Sequence, residues 1–159
     1  MEREGGTAMM HVWFEGKIRF TRTMENGMEK KVTESYLLDA LSFTEAEEKL
    51  IEEMQPLITG GFSVSGIKKA NFSEVFPSND AKADRWYKCK LNFIMLDEKT
   101  GIEKRTAVYM LVQSDGFRNA VKELDEHMKG TLADYEIVSV SETAIMDVFP
   151  YGRRAGENE

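Results

Sequence analysis

The chain has 159 residues, 42% of them hydrophobic, and a formal net charge of −7. That supplies an ordinary globular core, and no apolar run approaches the ~20 residues that a bilayer span needs. The opening MEREGGTAMM lacks the apolar stretch of a secretory signal, and the lone Cys89 can form no internal disulfide, so the reading is a cytoplasmic protein with no membrane partner.

Residues 1–9 read as a flexible extension, with Met9 or Met10 as candidate natural starts. Trp13–Thr21 alternates Phe14, Ile18 and Phe20 against Glu15, Lys17 and Arg19, the period of a half-buried strand. Asn26-Gly27 predicts a hairpin turn whose two central residues both take positive φ. Lys31–Asp39 returns as the second strand. Ser42 and Thr44 are candidate helix N-caps, each with a Glu three residues on. Phe43, Ala46, Leu50, Met54 and Leu57 form one apolar stripe, and Gly60-Gly61 stops the helix. Phe62–Ala70 is a third strand. "EVFP" (Glu74 to Pro77) follows, and its proline must end a strand or sit at an edge. Ser78–Asp84 is a short polar linker.

The pattern then recurs. Trp13, Lys17 and Phe20 reappear in order as Trp86, Lys90 and Phe93. Leu37, Phe43, Ala46, Leu50 and Met54 reappear as Leu111, Phe117, Ala120, Leu124 and Met128, and "EVFP" as "DVFP" (Asp147 to Pro150). Asp97–Gly101 takes the turn, Arg105–Gln113 the second strand, Ser114 or Asp115 the N-cap, Gly130 the helix stop and Glu136–Thr143 the third strand. An internal duplication explains this order. The expected fold is α+β: a ββαβ unit written twice, about six mostly antiparallel strands with two helices on one face, related by a pseudo-two-fold. The repeats span residues 10–77 and 85–151 of one pseudo-symmetric domain, with a flexible tail at 152–159.

Trp13-Phe14 with Lys17, Thr23 to Met54, the Trp86-Tyr87 strand and Ala133 to Tyr151 resemble an uncharacterised family of Bacteroidetes and their phages and mobile elements. The resemblance covers nearly the whole chain. It implies a cytosolic bacterial or phage protein and no particular activity.

Catalytic signals are weak. His11 and His127 do not recur between repeats, one cysteine gives no zinc pattern, and there is no phosphate-binding glycine loop or nucleophile elbow. No catalytic residue, metal site or cofactor is expected, and Cys89 reads as a buried structural thiol. Alternation instead puts Trp13, Lys17 and Arg19, with Lys31, on the face away from the helix. Trp86, Lys88 and Lys90, with Arg105 and Tyr109, take that place in the second copy. Rings and cations on an open sheet suit single-stranded nucleic acid or a nucleotide-like anion, because bases stack while Lys and Arg track phosphates. The bland alternative makes these cations solubilising residues and the tryptophans core. A second reading uses Glu45, Glu47, Glu48 and Glu52 on the first helix to engage a basic host protein, as an inhibitor or adaptor. A third has a dimer enclose a small anion. The oligomeric state is not legible.

Overall fold

The structure is a computed structural model and describes residues 12–151; the terminal segments, His11 and the candidate start residues lie outside them. The chain order is β1 (Trp13–Thr23), β2 (Glu29–Asp39), α1 (Phe43–Met54), β3 (Phe62–Ala70), β4 (Glu74–Phe76), β5 (Arg85–Leu96), β6 (Glu103–Ser114), α2 (Phe117–His127), β7 (Asp134–Glu142) and β8 (Ile145–Phe149). The α+β class holds, but among the described residues eight strands form two four-stranded sheets, where the sequence predicts about six. The two additional strands are β4 and β8, the acidic-Val-Phe segments before the prolines.

Their placement defines the fold. The first sheet has the order β3-β1-β2-β8 and the second β7-β5-β6-β4. β8 pairs parallel to β2, Leu37 opposite Val148. β4 pairs parallel to β6, Leu111 opposite Val75. Each closing strand thus leaves the segment it follows and completes the other sheet. The described residues divide accordingly into a unit of residues 71–144 and a unit of residues 12–70 and 145–151, so the compact units and the sequence repeats have different boundaries.

Within the first unit, Ile18, Tyr36, Leu38, Leu50 and Met54 form the main cluster, with Phe20, Ile58, Phe62, Val64, Ile67 and Phe149 packed around it. In the second, Cys89, Leu91, Met110, Val112, Leu124 and Met128 do so, with Phe76 and Phe93 against them. One helix covers one face of each sheet, as the apolar stripes require. The stripe of α1 is shorter than its sequence suggests: Ala46, Leu50 and Met54 are buried, whereas Leu57 lies beyond the helix and is 69% exposed.

Local signals act as expected with two corrections. Ser42 caps α1, its Oγ accepting from the Glu45 N–H at 3.1 Å, while the Glu45 carboxylate accepts from the Leu41 N–H. The cap of α2 is Gly116, not Ser114 or Asp115; Ser114 is used up as the end of β6. The β1–β2 turn uses positive φ at Gly27 alone, with the Asn26 side chain accepting from the Met28 N–H at 3.0 Å. A longer loop shared by backbone and side-chain bonds removes the need for a second left-handed residue.

Gly16 sits where β1 passes under α1. A Cβ there would lie 2.6 Å from Leu50 Cδ2 and 3.0 Å from Ile67 Cδ1. The matching position of the second sheet holds Cys89, so the helix of the first unit lies on a face with less room. Gly16→Ala should destabilise the first unit by about 1–3 kcal/mol through overpacking, measured by denaturant unfolding. A chain ending at Ala144 lacks β8. Its amides across Ser35–Leu38 should lose hydrogen-exchange protection while those of β5 and β6 keep theirs, because only the first sheet loses a strand.

Candidate functional site

The sheet faces opposite the helices carry the residues singled out by alternation, and the two units treat them differently. In the first sheet, register sets Lys17 opposite Ser35, Arg19 opposite Thr33 and Ser63, and Thr21 opposite Lys31. Lys17, Arg19 and Lys31 are therefore brought together on one face, all exposed, among the hydroxyls of Thr21, Thr33 and Ser63. Among the described residues none of the three cations meets a carboxylate. Arg19, Thr21, Lys31, Gly61 and Ser63 border a shallow depression of about 290 Å³. Trp13 shares this face at its far end, where it is half-buried and where Leu37 and Asp39 are buried.

In the second sheet the corresponding face is closed by its own contacts. Lys88 Nζ lies 4.8 Å from the centre of the Tyr109 ring, a cation–π contact that occupies both residues. Arg105 reaches Glu136 at 3.2 Å and Glu103 at 3.4 Å. Asn92 donates to the same Glu136 carboxylate at 3.4 Å. Trp86 is 2% exposed, so its ring offers no stacking surface and it is a core residue. Lys90 is only partly exposed. Of the basic-aromatic set, the open cluster is Lys17, Arg19 and Lys31, with no exposed ring at its centre.

On α1, Glu47, Glu48 and Glu52 are solvent-exposed, whereas Glu45 is partly buried in its capping role. Among the described residues no group of three or more His, Cys, Asp or Glu could hold a metal ion, and no helix is long and apolar enough to cross a membrane.

The helix side of the first sheet contains a polar group that composition and periodicity left unremarked. Beyond the C-terminal end of α1, the Tyr36 hydroxyl donates to Glu34 Oε1 at 2.8 Å. Arg22 Nη2 reaches Glu34 Oε2 at 3.4 Å and stands 5.5 Å above the Phe20 ring. Burial, then the hydrogen bond to Glu34, raises the Tyr36 pKa above its ordinary value, so the phenol stays protonated. These groups line a cleft of about 510 Å³ with Phe20, Met54, Leu57, Ile58 and Met146. The signal that could have found them is a difference between the two aligned segments of the sequence. Arg22, Glu34 and Tyr36 align with Met95, Val108 and Met110, so one sheet keeps three apolar residues where the other has a connected polar trio.

Against this geometry the comparisons are sparse. The family DUF4494, a domain of unknown function, matches residues 12–151, and the chain belongs to that family. No curated protein and no solved structure matches it.

Cys89 is fully buried, with its Sγ 3.8 Å from the Tyr87 carbonyl oxygen. Burial pushes its pKa up from 9.0 to about 11, the opposite of what a nucleophile requires. When the chain unfolds, this thiol ionises at its lower, ordinary pKa. The unfolded chain therefore sheds the proton first as pH rises, and stability should fall between about pH 9 and pH 11. Urea unfolding across that window should show a steeper loss for the native sequence than for Cys89→Ala, which has no thiol to ionise.

Proposed function

We propose that this protein is a nonenzymatic binding module whose first sheet takes single-stranded nucleic acid, or a nucleotide-like anion, on Lys17, Arg19 and Lys31. One observation carries the reading: three exposed cations share a sheet face with hydroxyl groups and, among the described residues, none of them is paired with a carboxylate (Glu15 on that face reaches Lys68 instead), in a chain whose net charge is −7. Long-range repulsion from an acidic molecule disfavours anions everywhere except at such a cluster. The absence of an exposed ring narrows the interaction to the phosphate backbone, with Thr21, Thr33 and Ser63 as hydrogen-bond donors and little base discrimination. The second sheet contributes little, because Glu136, Glu103 and Tyr109 already satisfy Arg105 and Lys88.

A tandem duplication belongs to the same proposal, supported by the ordered recurrence of residues and by the matching strand order of the two sheets. The loss of free cations from one copy is then divergence after duplication. A cytoplasmic setting in a bacterium or phage is supported by the buried single thiol and by the sequence resemblance. Exposed Glu47, Glu48 and Glu52 support the competing reading, engagement of a basic protein.

Fluorescence anisotropy with a labelled oligothymidylate tests the proposal. Binding should weaken with salt, and changing Lys17, Arg19 and Lys31 together to Ser should reduce the log–log salt slope by about 2, roughly 0.7 per lost phosphate contact. Arg105→Ser should leave the slope unchanged. The proposal fails if no binding occurs at low salt, or if the triple variant binds as well as the parent.

A further inference from the structure

We propose that the cleft at the end of α1 is a binding site for a free hydrophobic α-amino acid, separate from the cationic sheet face. The cleft combines an ion pair with an apolar wall, and the ion pair is incompletely satisfied. Arg22 reaches Glu34 through one nitrogen at 3.4 Å with its side chain 54% exposed, leaving most of its five N–H donors available. Glu34 is 14% exposed; its Oε1 accepts from Tyr36 at 2.8 Å, and its Oε2 is met by Arg22 only at 3.4 Å. A carboxylate can bridge to Arg22 and an ammonium can meet Glu34 Oε2. The pair carries no net charge, so a zwitterion matches it where a simple cation or anion would leave one partner opposed.

The apolar part follows from the lining. Met54 closes the floor; Leu57 and Met146 are 69% and 53% exposed at the rim. A branched, thioether or aromatic side chain would remove these surfaces from water. Methionines adapt to several shapes, so the site selects for apolar character more than for one outline. A cleft of about 510 Å³ admits a ligand of this size. The orientation of Glu34 is fixed from behind by Tyr36, which is 6% exposed and stacked at 5.6 Å on Phe149 of β8. The cleft therefore has a prearranged polar end, and the matching positions of the second sheet, Met95, Val108 and Met110, could not supply one.

Titration of the full chain with L-leucine, L-methionine and L-phenylalanine, followed by isothermal calorimetry and amide NMR shifts, tests the site. The expected result is saturable binding with shifts at Thr21–Thr23, Met54–Thr59 and Met146. N-acetyl-L-leucine and L-leucinamide, each lacking one charge, should bind about tenfold or more weakly. Arg22→Met and Glu34→Gln should each remove binding while the rest of the amide spectrum shows an intact fold; Tyr36→Phe should weaken it and keep the ring stack. The proposal is overturned if none of the three amino acids binds up to about 10 mM, or if the acetylated and amidated forms bind equally well. Retention of oligothymidylate binding by Glu34→Gln would show that the two sites are separate.

Discussion

The structure depends on the filling of one sheet edge. β2 and β6, the second strands of their ββαβ sequences, would each be left with one side unpaired, and an unpaired edge is a template for association. A tight hairpin can supply only an antiparallel neighbour. Here the neighbour is parallel and comes from a distant segment, β8 for β2 and β4 for β6. The proline after each strand then ends the ladder. Aromatic rings fasten both additions: Phe149 stacks on Tyr36 at 5.6 Å, and Phe76 on His127 at 3.9 Å. In the first unit Lys49 also donates to the Pro150 carbonyl and lies 5.8 Å from the Tyr151 ring. Desolvation lowers the Lys49 pKa, the cost of placing an ammonium where it can hold the end of β8.

This exchange couples local sequence to distant pairing. The hairpins and helices are local and can form early, whereas the outer strands require closure of long loops. A segment containing only the first ββαβ lacks β8, and its edge stays open. The other edges, β3 and β7, are managed differently: each pairs with its neighbour through a bulge, and β3 carries Lys68 and Lys69 near its end. Bulges and edge charges both discourage further strand addition.

Much of the frame was readable because it rests on short-range physics. Alternation located Phe14, Ile18 and Leu91 in the cores, and the glycines after the helices marked their ends. β4 and β8 were recognisable as segments that a proline terminates, but nothing local says which sheet a three-residue strand joins. That choice is made by ring stacking and edge availability. Alternation also cannot tell how much of an outer face stays open: Trp86 and Leu111 occupy outward positions and are buried. The cationic trio was legible as residues, but its distinction from the second sheet lies in Glu136, a carboxylate contributed by another strand.

The polar trio of the first unit was hidden for a different reason. Arg22, Glu34 and Tyr36 fit a strand pattern equally well as a solvated edge, and only comparison with Met95, Val108 and Met110 sets them apart. Their arrangement is costly where apolar residues of similar size would do, because a partly buried carboxylate must be compensated by its neighbours. The stack on Phe149 does not account for Tyr36, since phenylalanine would stack as well without a hydroxyl to satisfy. The hydroxyl instead locates Glu34, and Glu34 faces a guanidinium half-open to solvent. A network that serves only packing would close on itself; this one leaves charged donors and an acceptor directed at a cleft with an apolar wall. The frame common to both units is thus set by packing, and the chemistry that separates them is concentrated in the unit completed by the end of the chain.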